Sequence, residues 1–570
     1  MKGAANRVAK VLSIIPALAS LALGQMCLAA EGGEAFHKLI DKHIEAGWKE
    51  RKVSPAKAAS DAEFLRRVSL DLAGIIPTAA ETRVFLDDKA GDKRVRLIDR
   101  LLASPEYALH MARVFDVMLA ERRVPAIKSY DIKGPVWRAF LTDAFAENRP
   151  WNDLARDILS SDGSDKETGA GVKFFLVRGT EAHVVTRDVS RLFLGRDIQC
   201  AQCHDDPRYK DYKQADYFGI YAFLNRTSHF LEKKSKQSML AEKADGDVSF
   251  TSVFTGKKGD AMPKLPGREK MADPEMEKDK RYKVAPGKDA RAVPAYSRRL
   301  KLAKSLPQKE TNGFSLNIAN RLWALMMGRG LVHPLDMHHD KNPPSHPELL
   351  EALALHMEET NYDIKAFLRQ VALSRVYQLS SQLPEGQSEP SPEAFGVAQL
   401  HALSAEQLGW NFLQASQRLP ESILEAEQKL KKEDPEHYEQ RRRDMKWKKG
   451  IYDGLEKTAQ PLIAAFANMP GQAEGDFAPT VGQALFLLNG QKLFTLASGS
   501  YDGSLIARLK DLKTTDEIAD ELFLSVLTRR PVSEERKEVA QFLEKRKDRE
   551  AALQELTWAK LLSAEFRLKH

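Results

Sequence analysis

Cysteine is scarce in this sequence. Among 570 residues only Cys27, Cys200 and Cys203 carry a thiol, so a zinc site built from two separated cysteine pairs is excluded. Charge of one sign is lacking too. The chain carries +7, and Lys2, Arg7 and Lys10 fall in its first thirty residues, which leaves +4 on the remainder. No basic stripe with interleaved aromatics is present, so nucleic acid is not an expected partner. After residue 30 no apolar run is long enough to span a bilayer. "FTGKKGD" lacks phosphate-loop spacing, and no nucleophile elbow, zinc-protease motif, calcium loop or internal repeat occurs.

What is present begins with the leader. "MKGAANRVAKVLSIIPALASLALGQMCLAAEGG" has a basic start, an apolar run from Val11 to about Ala30, and small residues at Leu28-Ala29-Ala30. This predicts a cleaved export signal over 1–30, with no membrane span left after cleavage and a periplasmic or otherwise exported product. Cys27 leaves with that segment. The mature chain then keeps two cysteines, three positions apart and followed directly by a histidine.

The rest reads mainly as helix. Phe64, Leu65, Val68 and Leu72 keep helical spacing; Gly74 and Pro77 interrupt it, and Thr78 with Glu81 forms the signature of a capping box. Further helices are expected over 93–103, 108–121, 136–147 and 151–160. Ile318, Leu322, Leu325 and Met326 form a core stripe that Gly328 ends. The stretch 232–310 is rich in Lys, Asp, Gly and Pro, with one hairpin expected at "DVSFTSVFTG". The predicted fold class is mainly α: two helical bodies, 31–231 and 311–570, joined by an irregular, partly β, basic linker over 232–310. A charge-dense segment over 425–449 reads as a solvated face.

"FLRRVSLDLAGIIPTAAETRVFLDD", "RLLASPEYALHMARVFDVML" and "FLGRDIQCAQCHDDPRYKDYKQADYFGIYAFLNR" together resemble an exported, cytochrome-associated family abundant in planctomycetes, domain of unknown function 1549. "NIANRLWALMMGRGLVHPLDMHHDKNPPSHPELLEAL" and the C-terminal "LTRRPVSEERKEV" look like its usual companion, domain of unknown function 1553. The cytochrome association implies a haem role for Cys-x-x-Cys-His. Relatives commonly carry "CHDHP", whereas this chain has Asp206 in place of the second histidine.

Three chemistries use the same residues. Cys200 and Cys203 can form thioether bonds to haem c, with His204 as proximal iron ligand. Val185, Val189, Leu192 and Phe193 upstream, and Tyr217, Ile220, Tyr221 and Leu224 downstream, are candidate apolar walls; Met262, His229, His338 and His339 are candidate distal ligands. In an oxidising compartment the two thiols can instead close a disulfide. As a third alternative Cys200, Cys203 and His204 bind zinc, completed by His338, His339 or Asp206. His333, His338, His339, Asp340 and His346 crowd one short stretch; Ser345, Pro347 and Glu348 there predict a helix start with Ser345 as N-cap. The leading expectation is an exported c-type haem protein that transfers electrons in the cell envelope, with envelope redox or surface proteins as partners. The alternatives are a non-haem envelope protein with a Cys200–Cys203 disulfide, or a metal-binding protein linked to polysaccharide breakdown.

Overall fold

The structure, a computed structural model, describes residues 35–125, 134–311, 313–383, 385–472, 480–490, 494–495, 499 and 501–569. The expected export signal and Cys27 lie outside the described residues. The protein is mainly helical, with only short antiparallel strand pairs. No helix among the described residues is long and apolar enough to cross a membrane.

Polar caps start the first helices. Helix α1 (Phe36–Arg51) is followed by α2 (Asp61–Leu72), whose Ser60 cap accepts the Glu63 amide, and by α3 (Ala79–Asp87), where Thr78 and Glu81 form the reciprocal box. After α4 (Lys93–Leu102), Ser104 caps α5 (Pro105–Ala120), with proline in its first turn where no amide hydrogen is needed. Helices α6 (Gly134–Ala146), α7 (Trp151–Ser160), α8 (Lys173–Leu176), α9 (Ala182–Leu194) and α10 (Gln214–Leu224) complete this part.

Where the sequence predicts one hairpin, the chain forms three antiparallel pairs: β1 (Thr227–Leu231) with β2 (Ser238–Glu242), β3 (Val248–Thr251) with β4 (Lys258–Ala261), and β5 (Tyr282–Val284) with β6 (Val293–Pro294). All five β2 residues are buried, and the Leu240 amide donates to the Asp162 carbonyl. Much of this charge-rich stretch is therefore tied to the helical body. Arg291 reaches Asp162 at 2.6 Å and Arg298 reaches Asp273 at 2.9 Å.

Helices α11 (Arg298–Ser305), α12 (Phe314–Met327), α13 (Pro347–Glu359) and α14 (Ile364–Leu373) follow. Gly328 ends α12 in the left-handed conformation its position predicts. The N-cap of α13 is His346, not Ser345: Pro347 occupies the first helical position, and the Ser345 hydroxyl instead lies 3.1 Å from His346 Nδ1. Trp151 stacks between Phe193 and Phe314, with ring centres 5.8 and 6.2 Å away. That stack joins α7, α9 and α12 in one hydrophobic core, which reaches from Ile40 to Phe395.

A second core gathers Leu70 and Ile76 with residues between Leu403 and Phe566. It is built from α15 (Ala405–Ala415), α18 (Met445–Phe466), α19 (Val481–Asn489), α20 (Leu505–Asp511), α21 (Thr515–Leu527), α22 (Ser533–Glu544) and α23 (Arg549–Leu562), while α16 (Arg418–Glu433) and α17 (Tyr438–Arg441) lie outside it. Arg66 on α2 donates to the Phe566 carbonyl, and Lys569 pairs with buried Asp71, each at 2.7 Å. The C-terminal end of the described chain thus packs on α2.

Candidate functional site

The Cys-x-x-Cys-His segment begins where α9 stops. Gly195 takes a left-handed φ of 70° and donates its amide to the Arg191 carbonyl, which closes the helix. The chain then pairs briefly with residues 336–338: Asp197 donates to the Asp336 carbonyl at 2.8 Å, and His338 donates to the Gly195 carbonyl at 3.0 Å. A single 3-10 turn, Gln199–Gln202, follows. Asp197 Oδ1 accepts the Gln199 amide at its start. Ala201 is fully buried beneath the turn, and Cys200 and Cys203 project outward as exposed free thiols.

Two aspartates shape what comes next. Asp205 accepts the amide of Gln214, the first residue of α10, at 2.8 Å, where a carboxylate complements the exposed amides. Asp206 is buried, and its Oδ1 accepts the amides of Arg208 and Tyr209. The residue that departs from "CHDHP" therefore serves as a turn former.

The His204 ring is fixed from two sides. Its Nδ1 lies 2.7 Å from the Asp205 carbonyl. A carbonyl only accepts, so Nδ1 carries the proton and Nε2 keeps its lone pair. One ring face stacks on Phe254 at 4.1 Å. Phe254 and Val253 sit in the turn between β3 and β4, where they are 69% and 66% exposed, and the Val253 amide donates to the Cys203 carbonyl. An uncovered apolar tip thus stands against the motif. Sequence pattern finds a hairpin here but counts Val253 and Phe254 among its strand residues, whereas they form its turn and the second strand is Lys258–Ala261; the available signal is an aromatic residue in a turn, where polar residues are usual.

The predicted walls pack beside the motif turn but face inward. Val185, Val189, Leu192, Phe193, Tyr217, Ile220 and Leu224 are buried in the first core. They hold α9 and α10 together and leave the thiols on the outside. The candidate distal ligands are dispersed. Met262 follows β4; the four residues from Lys258 put it roughly 13 Å along the strand from the turn. His229 on β1 sits 3.1 Å from the Ser238 hydroxyl. The His338 ring packs against Gly195 and lies 3.4 Å from the Asn320 amide nitrogen; burial, then Arg321 and Arg196, push its pKa down to about 4. His339 stacks on Tyr209 at 3.9 Å, and its Nδ1 accepts the Lys341 amide. The fold therefore brings His338 and His339 to the two ends of the motif loop, although more than a hundred residues separate them in sequence. Among the described residues no group of three or more His, Cys, Asp or Glu is placed to hold a metal ion.

Beneath the loop lies an ionic network that no local motif signals. Arg178 meets Asp188 at 2.6 Å with both side chains fully buried, Arg191 meets Glu121 at 2.6 Å and Asp336 at 3.1 Å, and Arg187 holds Asp197 at 2.9 Å. Burial alone would raise the Asp188 pKa; Arg178, Arg191 and Arg123 outweigh it and hold the carboxylate below its ordinary value. Backbone bonds to Asp336 and the Arg187–Asp197 pair connect this rigid base to the exposed turn.

No curated protein and no solved structure matches the chain. Two family matches were found: a protein of unknown function (DUF1549) over residues 39–229, and a protein of unknown function (DUF1553) over residues 298–543. The first contains the whole motif loop and its network helix α9, while the second supplies Asp336, His338 and His339 from the facing loop, so the candidate site is assembled where the two regions meet. The chain is thus a pairing of these two domains of unknown function.

Proposed function

We propose that this is an exported c-type haem protein whose haem lies on the surface, tethered by Cys200 and Cys203 and ligated by His204. The observation that carries the reading is the state of the imidazole: Nδ1 is committed to a carbonyl, so Nε2 is the bare nitrogen of a proximal ligand. Two exposed thiols on the adjacent turn suit thioether formation, and the exposed Phe254 and Val253 offer one apolar face for a porphyrin. The buried walls and dispersed distal candidates favour an exposed haem without a protein ligand in the sixth position. Bound haem supplies a one-electron iron centre, and exposure of its edge suits electron exchange with an envelope partner. The chain's own part is to hold the imidazole in one tautomer and to present the thiols on a rigid base.

The test is expression of the full chain in a host that matures c-type cytochromes. A Soret band that survives denaturation is expected, with the Cys200→Ala, Cys203→Ala double variant losing it and His204→Ala retaining covalent haem with an altered spectrum. A colourless protein whose two thiols resist alkylation until reduced would overturn the reading in favour of a disulfide.

A further inference from the structure

A cavity of about 240 Å³ lies between α5, α6, α15 and α18, built from residues apart from the motif loop. Leu109, Ala112, Trp410 and Ile463 contribute apolar wall, and charged side chains of both signs line the remainder. Most of those charges are matched. Arg122 donates to both oxygens of Glu406 at 2.8 and 2.7 Å, Arg138 pairs with Glu456 at 3.1 Å, and Lys449 pairs with Asp453 at 2.5 Å. Asp116 accepts the Trp137 indole N–H at 2.8 Å.

Arg113 is the exception. Its guanidinium lies over the Trp410 ring at 4.2 Å and over Tyr452 at 5.4 Å, and among the described residues it makes no hydrogen bond or ion pair. A guanidinium has five donors in a planar fork, and this half-buried one keeps its N–H groups open to the cavity, where no protein acceptor takes them. Burial lowers its pKa, though Tyr452, Glu456 and Glu406 partly oppose that effect. Aromatic contact covers the face of the group and leaves its in-plane N–H donors open to the cavity.

We propose that this cavity is a binding site for a small organic monocarboxylate with an apolar or aromatic body, its carboxylate paired with Arg113. A planar carboxylate matches the fork in a way that leaves the aromatic contacts intact. The volume corresponds to roughly eight waters at about 30 Å³ each, enough for a compact organic acid. The pairing of the other charges disfavours a phosphate: Arg122, Arg138 and Lys449 are already engaged by Glu406, Glu456 and Asp453, so a second negative charge would meet no uncommitted cation.

Benzoate titrated into the full chain, followed by calorimetry and by thermal melting, tests the assignment. Saturable binding with a raised melting temperature is expected, and inorganic phosphate should bind more weakly. Arg113→Met removes the charge while keeping a long apolar stem; it should lose at least tenfold in benzoate affinity while melting no lower than the parent without ligand. Arg113→Lys keeps the charge without the fork and should fall between the two. Absence of benzoate binding to the parent, undiminished binding by Arg113→Met, or tighter binding of phosphate would each overturn the proposal.

Discussion

Gly195 shows how one residue positions the candidate site. With φ at 70°, it lets α9 end and the chain turn towards residues 336–338. A Cβ built there would stand 2.7 Å from His338 Cδ2 and 2.9 Å from Asn317 Oδ1. Gly195→Ala therefore meets both a left-handed penalty of about 1–2 kcal/mol and a steric conflict. We expect it to lower stability by at least about 1 kcal/mol in urea unfolding; an unchanged midpoint would contradict this role. A glycine after a helical stripe is readable from sequence as a helix end. That a histidine from the other domain fills the space of its missing side chain is not, because nothing near either residue encodes their meeting. The same holds for His204, whose free Nε2 depends on where a neighbouring carbonyl points.

At the scale of elements, α9 carries polar residues inward as well as apolar ones. Asp188 and Arg191 are buried on it, and they face Arg178, Glu121 and Asp336 from three other segments. Removing one member leaves the others charged, buried and short of a partner, which costs about 3–5 kcal/mol in comparable pairs. Asp188→Asn should approach that loss, with the motif loop becoming more open to hydrogen exchange than the rest of the core. If the variant is as stable as the parent and equally protected, the network does not support the loop. Apolar periodicity predicts α9 and its core face well, because Val185, Val189 and Leu192 keep 3.6-residue spacing. It passes over the ionic face, since a charged residue in a helical pattern normally signals solvent. The strand pairs over 227–294 were harder to read for a related reason: β5 and β6 are three and two residues long, too short to establish alternation.

Across the whole molecule, two cores share helix α2 and its following turn. Residues up to Phe395 contribute to one, while Leu70 and Ile76 are inserted into the other beside Leu403–Phe566. Buried neutral histidines give this assembly one acid-sensitive contribution to stability. Burial, with Arg113 next in weight, pushes His110 down to about 3, and burial with Arg51 and His43 pushes His346 to about 4. A folded pKa below the unfolded value of about 6.5 means that the unfolded chain binds the proton first. Their contribution is complete above about pH 6.5 and declines as pH falls towards 4. Urea midpoints should therefore drop between pH 7 and pH 4.5, and His346→Gln should make that drop shallower; a midpoint flat over this range would refute the assignment. The sequence by itself determined the mainly helical class and several helix starts and ends, because caps and apolar spacing act over a few residues, while the pairing of two domains was legible in long family motifs. Only the tertiary structure decided that the two domains share a core, that His338 and His339 bracket the motif loop, and that the Arg113 guanidinium faces a cavity without an acceptor. Those features arise from packing between segments hundreds of residues apart, where contact depends on the three-dimensional path of the chain and not on local pattern.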